Sequence, residues 1–253
     1  MSLRLASLNL HCGLDRRGRP YAVSEAVRAL DADVVLLQEN WRPRGTGSLA
    51  RRAALAHGYE HLAEHDVVAD IPLADLDLTR GEVPAETGAW GLAVLSRLPV
   101  RSYAAVALGA APGDVAGTRF AQVVELQYPD DAVLRVVNVH LTHRLVHGPR
   151  QLRRLIRWLG DSDVPTVLGG DFNMCRPTVH LARGYRPTVR GRTWPAHRPV
   201  AQIDHVLVGP GVAVADRQVA PPAGSDHLPI RAALVLTRDR AGASRAGQLR
   251  SRL

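Results

Sequence analysis

The chain has no lysine: all 32 of its basic residues are arginine. Its two cysteines, Cys12 and Cys175, are too few to staple a chain of 253 residues, which excludes a disulfide framework. Aromatic residues make up only 4% and form no aromatic-rich hairpin, which argues against a secreted protein that wedges into membrane lipid to reach its substrate. Apolar runs never approach 18 residues, so nothing reads as a spanning helix, and no integral membrane contact is expected. Met1 to Asn9 alternates apolar and polar residues as a strand does. That start leaves no room for a signal peptide, so the expected compartment is cytoplasmic. The missing lysine accompanies abundant Ala, Gly, Pro and Val and reads as genomic background.

With 46% apolar and 22% charged residues, the composition is that of a globular protein. Two cysteine-free routes to stability remain, a large core or oligomerisation, and this length is ample for a core. A monomer is the default. The formal net charge of +8 invites a polyanionic partner but says nothing about fold. Its distribution is more informative. Residues 58–88 carry −7, residues 142–198 carry +8, and the Arg-rich tail 238–253 carries +4. The acidic stretch reads as a long surface excursion, and the tail as disordered.

Strand patterns occur near 3–9, 34–39, 90–96, 101–107, 119–127, 132–140, 165–170, 203–208, 212–219 and 228–236. Helical spacing follows Pro20 (Val23, Ala26, Val27, Leu30), spans 48–57, and follows Pro149 (Leu152, Leu155, Ile156, Leu159). Strands outnumber helices, and two helices lie between strands. This predicts an α/β fold in one domain, 1–237, with sheets packed face to face and helices outside.

Chemistry-bearing residues gather at strand ends. Asn9 closes the first strand, Glu39 the second, and His140 the run Val136–His140. Asp171 and Asn173 follow Val167–Gly170, Asp204 stands in Ile203–Val208, and Asp226-His227 precedes the last strand. Each alone has an ordinary reading. Glu39 caps or pairs with an arginine, Asp171 and Asp226 form turns, and His140 is a core histidine. Asp204 is harder to dismiss, because a carboxylate in an apolar strand needs a partner. Together they converge on one sheet edge, where a rigid scaffold presents functional groups.

Seven segments in order carry a resemblance: Leu8-Asn9-Leu10-His11, Leu37-Gln38-Glu39, Gly91–Arg97, Asn138-Val139-His140-Leu141, Gly170-Asp171-Phe172-Asn173, Gln202-Ile203-Asp204-His205 and Ser225-Asp226-His227. The chain resembles the endonuclease/exonuclease/phosphatase superfamily, with the deoxyribonuclease I-like fold. The resemblance implies a four-layer sandwich, two mixed β-sheets flanked by helices, and metal-assisted hydrolysis of a phosphoester. It implies Mg²⁺, with Mn²⁺ as a substitute, on Glu39, Asn9 and Asp226, since hard divalent ions take oxygen ligands. It pairs His227 with Asp204 as the base, and gives Asp171 the attacking water or an acid role. Asn173 and His140 are then phosphate ligands, His140 also a candidate proton donor. His11 stands where some relatives carry a carboxylate, and is assigned either to substrate phosphate or to no direct role.

The substrate is expected to bear phosphate, and a nucleic acid is the favoured partner, with a lipid headgroup or small phosphoester as the alternative. Another class of reading is an inactive relative that only binds nucleic acid. Asn138–Leu141 resembles the nuclease, sphingomyelinase and inositol-phosphatase branches more than the abasic-site enzymes. In the loop Arg190–Arg198, Trp194 stacks a base with Arg192 on phosphate, or else anchors the loop.

Overall fold

The computed structural model describes residues 2–76, 78, 82–128 and 131–237; the expected disordered tail lies outside them. Twelve strands are described: β1 (Leu3–Asn9), β2 (Val34–Pro43), β3 (His61–Pro72), β4 (Thr87–Ser96), β5 (Val100–Ala110), β6 (Thr118–Gln127), β7 (Val133–His140), β8 (Thr166–Asp171), β9 (Arg186–Pro187), β10 (Asp204–Val208), β11 (Val212–Val219) and β12 (Ile230–Leu236). The helices are α1 (Val23–Ala29), α2 (Leu49–His57), α3 (His147–Leu159) and the single turn α4 (Arg176–Val179). They build two six-stranded mixed sheets, in the orders β11-β12-β1-β2-β4-β3 and β5-β6-β7-β8-β10-β9.

Period-two alternation sorts the side chains into layers. On β1 and β2, Leu3, Leu5, Val34 and Leu36 enter the core between the sheets, beside Val136, Val167 and Val206 of the second sheet. Their neighbours Ala6, Leu8, Val35 and Leu37 face outward onto α1 and α2. Val137, Val139 and Leu168 face Leu152, Leu155 and Leu159 of α3. The result is the four-layer sandwich expected from the sequence.

Each sheet is centred on a parallel pair, β1–β2 joined through α1 and β7–β8 joined through α3. The carboxyl ends of these central strands open at the same edge, the usual place for a ligand on such sheets. Below that edge a buried polar network ties the sheets together. Gln38 Nε2 donates to Asn138 Oδ1 at 2.6 Å, and Asn138 Nδ2 donates to the carbonyls of Leu37 and Ala93. Gly170 is required there: its φ is +137°, and a Cβ would sit 2.1 Å from the Val139 carbonyl oxygen.

Residues 58–88 are not a surface excursion. They contain β3, which pairs along β4 as the edge strand, and a turn whose Leu73 and Leu76 are buried. The acidic side chains are the edge protection of that strand, and arginines partner several of them. Arg42 pairs with Asp66, Arg44 with Asp70, and Arg51 with Glu64. Pro20 does not open α1 either; it bridges Leu14 and closes a tight loop ahead of the helix.

Candidate active site

His140, Asp171 and Asp204 occupy one lateral row. In the strand register His140 is opposite Asp171 across β7–β8, and Asp204 is opposite Asp171 across β8–β10. Asn9 reaches the same place from β1. Its Nδ2 donates to Glu39 Oε1 at 3.1 Å and to Asp171 Oδ2 at 3.2 Å. Its Oδ1 accepts the His11 backbone N–H at 2.9 Å, which fixes the amide's orientation. Asn9 therefore bridges two carboxylates through nitrogen, while its oxygen accepts one backbone N–H and keeps a second lone pair.

Glu39 arrives through a β-bulge. Between Leu37 and Asn40 the register of β2 on β4 slips by one residue, and Glu39 takes φ +50°. A bulge of this kind re-aims a side chain out of the ladder. Glu39 Oε2 is buried without a hydrogen-bond partner. A carboxylate oxygen in that state is costly unless something positive meets it.

His227 Nδ1 lies 2.9 and 3.1 Å from the two oxygens of Asp204. The carboxylate holds the Nδ1–H tautomer, so Nε2 turns toward the cleft, 3.8 Å from Asp171 Oδ2 and 3.9 Å from Asp226 Oδ1. Burial alone would depress the His227 pKa; the charges of Asp204, Asp171 and Asp226 lift it well above its ordinary value. Asp171 moves the opposite way for a carboxyl. Burial pushes it up to about 7, helped by the Asp204 charge and opposed by His227. Burial, and then Arg119, hold His140 well below the usual imidazole range, so it is a neutral ring at physiological pH. Its Nε2 is 3.5 Å from Asp171 Oδ2 and 3.9 Å from Glu39 Oε1.

These groups share a cleft of about 610 Å³ lined by His11, Glu39, His140, Asp171, Asn173, Trp194, Asp226 and His227, among others. Asp204 stands behind His227. His11 lines the cleft, but its ring nitrogens each lie 2.9 Å from a carbonyl oxygen, those of Leu14 and Leu78. It offers a substrate no free nitrogen; the second reading of His11, without a direct contact, fits this geometry. Asn173 spends one side-chain N–H on the Leu141 carbonyl, and its backbone N–H holds Asp171 Oδ1 at 2.8 Å. Trp194 donates Nε1–H to Asp226 Oδ2 at 3.0 Å. Arg192 is exposed and is not brought to the cleft wall. Cys12 is buried, Cys175 is exposed, and both are free thiols.

The sequence reading missed the opposite wall. Arg119, at the start of β6, is buried and paired with buried Asp114 through Nε (2.9 Å) and Nη2 (2.8 Å). Its guanidinium lies 5.0 Å from the centre of the Trp90 ring, which in turn is 5.4 Å from the His140 ring. Arg119, Trp90, His143 and Arg144 all line the cleft. Val115 and Trp194 of the lining expose apolar surface, as do Leu145 and Val146, next in the chain to Arg144, and Val200, next to Ala201.

Two sets of ligand atoms suit a cation. The unpartnered Glu39 oxygen and the Asp226 carboxylate both line the cleft and offer hard oxygen ligands. The ligand atoms of Asp171, Asp204 and His227 lie within 4.8 Å of one another. In the second set, however, both Asp204 oxygens already face one imidazole nitrogen. The Glu39 oxygen of the first set has no such partner.

The model of the Endonuclease/Exonuclease/phosphatase family matches residues 6–227. The chain belongs to that family. Endonuclease/exonuclease/phosphatase proteins are generally hydrolases of phosphoester bonds and typically depend on a divalent metal. Solved structures of family proteins share the fold. One from Beutenbergia cavernae DSM 12333 is 24% identical with a TM-score of 0.72, covering 93% of this chain and 72% of its own. One from Leptotrichia buccalis C-1013-b is 13% identical with a TM-score of 0.69, covering 92% and 100%. The mannosyl-6-phosphatase of Bacteroides thetaiotaomicron VPI-5482 is 16% identical with a TM-score of 0.62, covering 93% and 100%. A search of curated proteins found no significant match. Among the described residues, no helix is long and apolar enough to cross a membrane.

Proposed function

We propose that the protein is a divalent-metal-dependent phosphodiesterase that cuts nucleic-acid strands by attack of water. The observation that carries this reading is the meeting of a carboxylate–imidazole relay with an unpartnered buried carboxylate oxygen in one cleft. Mg²⁺ or Mn²⁺ would be held by Glu39 and Asp226, where it neutralises charge on the phosphoryl and leaving oxygens. Every other task falls to side chains of the chain. Asp204 aims His227 Nε2 into the cleft, where the ring takes the proton of the attacking water once it has lost its own, a form that grows with pH because the carboxylates around it raise its pKa. The gap of 3.8 Å between Nε2 and Asp171 Oδ2 suits a water that touches both, so Asp171 orients the nucleophile. His140, held neutral, donates Nε2–H to a phosphoryl oxygen, and Asn173 holds Asp171 in place. The water oxygen bonds to phosphorus as the bond to the leaving oxygen breaks; His227 carries away the water's proton, and the leaving oxygen takes a proton from solvent.

Nucleic acid is favoured over other phosphoesters by the arginines and Trp194 around the cleft. A second reading, an amphiphile with its phosphate in the cleft, is supported by the exposed aliphatic residues Leu145, Val146 and Val200, next in the chain to residues of the lining. Purified protein with Mg²⁺ or Mn²⁺ would be offered single-stranded DNA, RNA, duplex DNA, a phospholipid diester and a generic monoester. Cleavage of strands supports the nuclease reading. Turnover of only the lipid or the monoester removes it and keeps the chemistry.

A further inference from the structure

Beside the catalytic cleft lies a second groove, of about 390 Å³, lined by Asp15, Arg16, Arg17, Arg19, Ala196, His197, Pro222 and Gly224 to Asp226. Asp226 belongs to both cavities, so the groove begins where the cleft ends. We propose that this groove is a second phosphate subsite, taking a phosphate that flanks the scissile one; this rests on the phosphoesterase reading of the cleft.

The groove is prefolded. Asp15 turns inward and accepts the backbone N–H groups of Arg17 (2.8 Å) and Arg19 (3.0 Å), along with the Arg19 side chain. The Leu14–Pro20 bridge closes the loop, and Gly224 presses onto the Tyr21 ring below it. Arg16 and Arg17 are thereby left at the exposed tip. Among the described residues neither guanidinium has a carboxylate partner, whereas Arg19 is paired with Asp15.

Neither carboxylate of the groove stands as a bare negative charge. Asp15 is paired with Arg19; desolvation alone would raise its pKa, but the hydrogen bonds of Arg19 and Arg17 together hold it down to about 2. Asp226 gives Oδ2 to Trp194 and turns Oδ1 toward His11 and His227. What remains is positive: two free guanidiniums with His197 beside them, the donor chemistry that phosphate oxygens take. Trp194 lines the catalytic cleft with its side chain partly exposed, and its indole is fixed by Asp226, which borders both cavities. The chain linking two phosphates would pass over it, and a base would stack there. A flanking phosphate comes either from the next nucleotide of a strand or from a small bisphosphorylated molecule; the chemistry recognised is the same.

The test replaces exposed residues only. Arg16→Gln/Arg17→Gln is compared with Arg153→Gln/Arg157→Gln, which removes equal charge from the solvent face of α3. Binding of a fluorescein-labelled single-stranded DNA 12-mer is followed by anisotropy in EDTA, and turnover of bis-p-nitrophenyl phosphate is measured with Mn²⁺. The groove variant is expected to weaken 12-mer binding about tenfold and to lower the log–log salt slope by about 1.4, two contacts at ~0.7 each. Its turnover of the small diester is expected to be unchanged, as is everything in the α3 variant. Unaltered 12-mer affinity, or an equal loss in the α3 variant, overturns the subsite. If the wild-type protein binds no 12-mer, the nuclease reading is lost. KM for a sugar bisphosphate should then rise in the groove variant while KM for the monophosphate does not. Equal changes in both would overturn the subsite as well.

Discussion

Both carboxylate oxygens of Asp204 face a single atom, Nδ1 of His227, at 2.9 and 3.1 Å. A carboxylate placed this way serves the imidazole: it sets the tautomer and steadies the protonated form. Asp204→Asn keeps the shape and removes the charge. We expect kcat to fall about 10²- to 10⁴-fold with KM nearly unchanged, measured by steady-state kinetics on a phosphodiester. Loss confined to KM would assign Asp204 to substrate binding instead.

Glu39→Gln addresses the metal. Glutamine keeps the hydrogen bond from Asn9 but discards the charge on the unpartnered oxygen. Calorimetric titration with Mn²⁺ should show affinity at least ~10-fold weaker, since even residues behind metal ligands are worth that much. Unchanged affinity would move the ion to the cluster of Asp171, Asp204 and His227.

The sequence made the carboxyl-edge residues legible because they interrupt apolar strands, where a polar group needs a reason. Glu39, His140, Asp171, Asp204, Asp226 and His227 all stood out this way, and the structure gathers them in one place. What it hid depends on partners far away in the chain. The acidic alternation of β3 resembles a solvated loop until Arg42, Arg44 and Arg51 are seen beside it. The amide of Asn9 is turned by a backbone N–H two residues on, and His11 is occupied by two carbonyls, one of them 67 residues distant. Arg119 carried no local signal; the arginine-rich region that drew notice, 142–198, put Arg192 outside the cleft.

The Asp114–Arg119 pair sets an acid limit on stability. Burial alone would raise the Asp114 pKa, but hydrogen bonding and charge from Arg119 hold it below its ordinary value. Its stabilising contribution is therefore complete above the unfolded carboxylate value near ~3.9, and is lost as pH falls through the lower folded value. Asp114→Asn should destabilise the protein at pH 7 by about 3 kcal/mol, because Arg119 stays charged and buried. It should also flatten the loss of stability between about pH 5 and 2. Urea unfolding at several pH values checks both. Parallel curves for the variant and the wild type would show that the pair does not set the acid limit.

The proposed chemistry turns on Asp171, which orients the attacking water in the cleft. The most direct measurement is hydrolysis of a single-stranded oligonucleotide, with and without divalent ion, by wild type and by Asp171→Asn. The account predicts turnover by wild type only with the ion, and a loss of at least ~10²-fold in kcat for the variant at unchanged thermal stability. Equal turnover by the two proteins, or full activity in chelator, would contradict it.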